Sequence, residues 1–213
     1  MIQSGKFDSS NMDIKKLANL SLIFVTNRLI EIVGVIISIL GVLLLTALIS
    51  YSPEDPNFIF NDKTDIKNIL GFQGSYISDF FLQSFGLISF LIPLSYFFSG
   101  IKIFKEKKIY FLIENTFCVI VYAILGSLFF SNFYQNSFNL YINGNGGFVG
   151  SYLNQIFIGP YITQYINFVY YILLLLIILF FFFSFNFNPK KFWIFSKNIS
   201  YKVFKKDNKN YTN

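Results

Sequence analysis

Few side chains in this sequence are equipped for chemistry. Histidine is absent and there is a single cysteine, Cys118, set inside an apolar run. Three places invite a chemical reading. In "YSPEDPNF", Tyr51 to Phe58, Glu54 and Asp55 stand side by side between Pro53 and Pro56. No paired carboxylate, His/Cys cluster or nucleophile–base pair is read here. The prolines disfavour helix and the acids favour water, so the stretch reads as a solvated turn at the end of an apolar segment. In "GNGGFVGSYL", Gly144, Gly146, Gly147 and Gly150 crowd together. A phosphate cradle of the GxxxxGK[ST] type needs a lysine and a preceding strand, and neither is there. Asp79 lies near the start of an apolar run. A proton or ion relay would want acidic partners at membrane depth, and the other runs offer none. Asp79 therefore reads as an interfacial residue satisfied by backbone or water, or as one that pins a helix end. No catalytic, cofactor-binding or metal-binding residue is assigned.

The elements around these residues explain the poverty of chemistry. Of 213 residues, 54% are hydrophobic and only 13% charged, against about 25% charged in a typical soluble domain. No Asp, Glu, Lys or Arg occurs between Glu114 and Lys190, a gap that no water-facing surface tolerates. A helix crosses a bilayer core in about 20 apolar residues. Four runs qualify, at about 29–50, 77–101, 111–130 and 166–187. The expected fold is an all-α membrane domain over 29–187. Residues 1–28 precede it as a cytoplasmic segment, and 188–213 follow as a basic tail. Leu17, Leu20, Ile23 and Phe24 suit one side of an interfacial helix in the first segment.

Direction follows from the lysines. Lys6, Lys15, Lys16 and Arg28 precede the first run. Lys102, Lys105, Lys107 and Lys108 separate the second from the third, and seven lysines follow the fourth. Loops rich in Lys and Arg stay cytoplasmic, so both termini are expected inside and the "YSPEDPNF" turn outside. The net charge of +6 is thus read as topology rather than as a nucleic-acid surface. In the first outer loop Glu54 and Asp55 are expected to stay wet, with Tyr51 and Phe58 at the interface. The second outer loop is expected to hold a short re-entrant or interfacial helix broken by Gly159 and Pro160. Its glycines should let it fold back on the first loop. Pro93 is the expected break at depth. The aromatic, lysine-rich tail beyond Phe187 suits an anionic lipid surface.

In order and spacing these elements resemble the N-terminal four-transmembrane domain of the FtsK/SpoIIIE family of bacterial DNA translocases. "RLIEIVGVIISILGVLLLTALISYSPEDPNF" is similar to that family's first helix and its exit, on Tyr51, Pro53, Asp55 and Pro56. "GFQGSYISDFFLQSFGLISFLIPL" matches on Gly71, Gly74, Asp79, Phe85, Gly86 and Pro93, and "GNGGFVGSYL" on Gly146, Gly147 and Gly150. The resemblance implies a non-catalytic membrane anchor that localises a translocase to the division septum of the inner membrane. It also implies divisome membrane proteins as partners. ATP, Mg²⁺, DNA contact and hexamer formation would belong to a motor domain absent here, and the natural chain is expected to continue into it. Ser75, Ser78 and Asn57 depart from the family pattern, small residue for small residue in the first two. The alternative class is a small secondary transporter or channel subunit, which would need a polar-lined cavity at mid-depth.

Overall fold

The computed structural model describes residues 7–56, 65–135, 143–158 and 164–185, with side chains over 16–56, 65–135, 143–156 and 164–185. The tail beyond Phe187, Phe58, and the Gly159–Pro160 break fall outside those residues. Among the described residues every regular element is helical. They are α1 (Phe7–Ile49), α2 (Gly71–Phe85), a 3₁₀ turn (Gly86–Phe90), α3 (Leu91–Glu106) and α4 (Tyr110–Phe133). Then come α5 (Gly147–Leu153), a π-helical turn (Asn154–Ile158) and α6 (Ile166–Ser184). Among the described residues four helical stretches are long and apolar enough to cross a membrane: Lys16–Ile49, Gly71–Glu106, Tyr110–Phe133 and Ile166–Ser184.

The helices differ from the expected segments in three ways. α1 is continuous from Phe7 to Ile49, so among the described residues the expected interfacial segment and the first span form one helix. Nothing between Ser21 and Leu29 breaks a helix, and the apolar run simply extends the rod. The second span starts at Gly71 instead of Ile77, which places Asp79 and Gln83 inside α2. The break in that span comes at Gly86, not at Pro93. Pro93 is the third residue of α3, where a missing N–H is tolerated because the first-turn donors have no intrahelical partner.

α1 and α3 lie against each other on small residues. A Cβ on Gly34 would stand 2.7 Å from the Gly100 carbonyl oxygen, and one on Gly41 would stand 2.9 Å from that of Pro93. Ser38 lies between the two glycines and donates to Phe97 O at 3.2 Å. Water gives no driving force inside a bilayer, so close backbone approach and interhelical hydrogen bonds must hold such a pair. A larger core gathers Ile88, Ile92, Tyr122, Ala123, Phe129 and Leu173 from the second, third and fourth spans. The outward faces of α1 and α6 expose Ile32, Ile36, Ile39, Phe168, Leu175 and Phe183, as lipid-facing helices should.

Polar contacts mark both ends of the bundle. At one end Glu31 bridges Arg28 at 2.5 Å and Lys107 at 3.0 Å. Lys107 closes α3 with a left-handed backbone, φ 56°. At the other end Tyr51, just beyond α1, reaches Asp79. Glu31 and Ile49 are separated by about 27 Å of helix at 1.5 Å per residue. That is close to the roughly 30 Å hydrocarbon core of a bilayer.

A candidate structural and partner-facing rim

The rim begins where α1 ends. Asp55 N–H bonds to Ser52 O at 3.2 Å, closing a turn with Pro53 at its second position, the place where a fixed φ is favourable. Pro53 and Glu54 are exposed, while Asp55 and Pro56 are buried. Burial of Asp55 overturns the expectation that both acids stay wet. Its carboxylate accepts the backbone N–H of Lys67 at 2.8 Å and of Asn68 at 2.9 Å, and the residue is 3% exposed. The reason is the returning chain: residues 67–68 enter α2 with backbone donors that nothing helical can satisfy, and Asp55 supplies both acceptors. Glu54 stays in water and pairs with Lys67 across the loop. That hydrogen bond, and then the opposite charge, hold the Glu54 carboxyl below its ordinary range. The same contact raises the Lys67 ammonium.

Asn68 completes the seam. It donates to Ala47 O at 2.9 Å, capping a free carbonyl at the end of α1. Its own oxygen accepts Leu70 N–H at 3.0 Å. Gly74 lies under it, and a Cβ there would stand 2.2 Å from Asn68 Oδ1. Gly71 opens α2 and donates to Asn68 O at 2.9 Å. Ser75 donates to Pro56 O at 2.6 Å. One turn further along α2, Asp79 accepts from the Tyr51 hydroxyl at 3.1 Å and from Gln83 Nε2 at 3.5 Å. The side chains of Tyr51 and Gln83 thus serve this acid.

Gln83 ties in the chain between α4 and α6. Its Oε1 accepts Asn143 N–H at 3.3 Å and its carbonyl accepts Asn143 Nδ2 at 3.2 Å. The glycine-dense stretch that follows inserts at the Gly86 break. Gly86 has φ +73°, and a Cβ on it would lie 2.0 Å from Asn145 O. Leu87 N–H, released by the break, donates to that oxygen at 2.9 Å. The Phe85 carbonyl on the other side of the break accepts Ser127 Oγ at 2.9 Å. Gly147, φ +65°, crosses Gly86 N so closely that a Cβ would come within 2.6 Å. A side chain at either position would pay both for the left-handed backbone and for the clash. Gly146 and Gly150 lie on Ser127 O of α4, at 2.5 and 2.2 Å from where a Cβ would stand. Among the described residues the glycine-dense stretch thus packs on α2 and α4. An irregular backbone in this position must borrow partners from the opened helix, and the opened helix from it.

Asp55, Asp79, Gly74, Gly86, Gly146, Gly147 and Gly150 thus meet in one seam. Pro93 lies apart, under Gly41 in the α1–α3 contact. Sequence reasoning missed Asn68, Gln83, Asn143, Asn145 and Ser127. Each is a neutral polar residue whose signal was only its position beside a helix end or inside an apolar run. Among the described residues no group of three or more His, Cys, Asp or Glu side chains is arranged to hold a metal. The rim can join two loops and present a surface; it contains no base–nucleophile pair.

Over residues 26–196 the chain matches the family model described as the 4TM region of DNA translocase FtsK/SpoIIIE. The DNA translocase FtsK of Rickettsia bellii (strain RML369-C) is 31% identical over 151 residues, which is 70% of this chain and 19% of that protein. That of Rickettsia prowazekii (strain Madrid E) is 37% identical over 82 residues, 37% of this chain and 11% of that one. That of Shewanella oneidensis is 30% identical over 143 residues, 64% of this chain and 15% of that one. The matched part is thus about a fifth or less of these relatives' length. No solved structure matches the chain.

Proposed function

Because this chain belongs to the family of 4TM regions of the DNA translocases FtsK/SpoIIIE, we propose that it anchors such a translocase in the bacterial inner membrane. Both termini are cytoplasmic, and the Tyr51–Asn68 and Asn143–Gly150 seam faces outward. The anchor sits at the division septum, where the rim is offered to other divisome membrane proteins. ATP and Mg²⁺ serve a motor encoded beyond this segment. DNA is held by that motor, which also sets any hexamer, and the membrane part carries no catalysis. The lysine-rich tail beyond Phe187 lies at anionic lipid on the cytoplasmic side.

The observation that carries this reading is the four-span family match together with the lysines gathered at alternate ends of the spans. The cavity between α1, α3 and α4, about 250 Å³ and lined by Ile37, Leu40, Gly41, Leu44, Tyr96 and Leu112, is apolar. It lends no support to the transporter alternative, which calls for polar groups at depth. Two experiments test the proposal. Reporter fusions after Asn68 and Asn145 should score outside and one after Lys107 inside; an outside score at Lys107 refutes the topology. Depletion of the full protein should impair septation and chromosome segregation; normal division and segregation would refute the septal role even with the topology intact.

A further inference from the structure

The α3–α4 seam holds an unresolved polar account near its lysine-bearing end. Asn115 of α4 has no exposed surface, and neither its amide oxygen nor its amide nitrogen has a partner. Ser99 of α3 is 1% exposed, and its hydroxyl is likewise unpartnered. Two contacts fix where these residues lie. Ser95 of α3 meets Tyr122 of α4 at 2.9 Å. Nearer the helix ends, the Lys102 ammonium lies 3.7 Å from the centre of the Phe111 ring. The helices run antiparallel, so Ser99, between Ser95 and Lys102, and Asn115, between Phe111 and Tyr122, occupy the same interval of the seam. The polar string continues on its far side, where Ser184 at the end of α6 donates to Ser95 at 2.8 Å.

A buried amide with a free donor and a free acceptor, beside a free hydroxyl, is costly in a dry site. We infer that this interval binds water: one or more buried molecules that accept from Asn115 Nδ2, donate to Asn115 Oδ1, and bond to Ser99. Water fits better than an ion. Ser95, Ser99, Asn115, Tyr122 and Ser184 bring no formal charge to offset one, and a cation would leave the amide N–H₂ without an acceptor. Buried waters characteristically make about three hydrogen bonds to groups of this kind. The interval runs from the Lys102–Phe111 contact to the Ser95–Tyr122 contact, where Tyr122 also joins the apolar core of Ile92, Val119 and Leu173.

The test is made on the full chain in lipid nanodiscs. Radiolytic hydroxyl labelling marks side chains beside bound water even when they are buried. Tyr122, with no exposed surface, should be labelled, and Asn115→Leu and Ser99→Ala should each reduce that label at least severalfold. Thermal unfolding supplies an independent sign. In a hydrated site Asn115→Leu displaces satisfied water and leaves Ser99 alone, so Tm falls or stays level. In a dry site the same change removes two orphaned polar atoms and Tm rises by several degrees. An unlabelled Tyr122, or a rise in Tm for Asn115→Leu, overturns the inference. Should Asn115→Leu fail to fold, Ser99→Ala decides by the same two readouts, with loss of label supporting the inference and an unchanged label refuting it.

Discussion

Asp55→Ala should unfasten the first outer loop from the bundle. The carboxylate serves two backbone donors, Lys67 N–H at 2.8 Å and Asn68 N–H at 2.9 Å, and is 3% exposed. Each donor left unpaired in a buried site costs about 1–3 kcal/mol, and bonds to a charged acceptor lie in the upper part of that range. Two lost bonds would come to about 3–6 kcal/mol if nothing relaxed. Lys67 is on the exposed side and can recruit water, so the residual loss should be about 2–3 kcal/mol, most of it at the buried Asn68 amide. Asp55→Asn keeps one acceptor oxygen and should lose about half as much. The assay is thermal unfolding in nanodiscs combined with amide hydrogen exchange. Exchange at Lys67 and Asn68 should rise sharply in Asp55→Ala, while α4 and α6 amides keep their protection. Unchanged protection at those two amides together with an unchanged Tm would refute the claim that Asp55 holds the loop.

Two further predictions concern the same rim. Gly147→Ala should expel the second outer loop from the Gly86 break without preventing insertion, because the added Cβ meets Gly86 N at 2.6 Å and the backbone is left-handed. Hydrogen exchange at Leu87 reads this directly, and a protected Leu87 amide in the variant would count against it. For the Glu54–Lys67 pair, the folded carboxyl lies below its ordinary value of 4.5 and the folded ammonium above its ordinary value of 10.5. The pair's contribution is therefore present between those values; it is lost as pH falls through the lowered Glu54 value, and again as pH rises through the raised Lys67 value. Both groups are well exposed, so the Tm difference between wild type and Lys67→Gln should be small, salt-sensitive and confined to that window. A difference that persists at pH 2 would be inconsistent with it.

The spans were legible because bilayer thickness imposes a length and an apolar composition that single residues cannot override. Their ends were less so. The second span begins six residues before the position expected from hydropathy, because Gly71 to Tyr76 form helix with Gly74 and Ser75 buried against Asn68 and Pro56, and a polar stretch covered in this way need not end a span. Asp55 was misjudged for a related reason. An acid between two prolines looks wet in one dimension, and only the return of the chain at Lys67 and Asn68 reveals two donors waiting for it. Gly86 and Pro93 show the same limit. Proline advertises a break wherever it stands, yet near a helix start it makes none. Glycine is silent until another backbone arrives to occupy the space, and Asn145 comes from a loop too distant in sequence for local patterning to connect.

That distance has a consequence for how the protein is made. Gln83 meets Asn143 across 60 residues of chain, and the backbone opening at Gly86 closes on the same distant loop. A ribosome adding about 5–20 residues per second needs roughly 3–12 s to synthesise that intervening stretch. During those seconds the second span leaves the insertion machinery with a gap in its backbone hydrogen bonding, and must keep it hydrated or shielded. Docking of the loop onto the second span thus cannot be complete until residues 143–145 have been synthesised. Slowing translation between residues 90 and 140 should lengthen the life of a proteolytically sensitive intermediate nicked near Gly86.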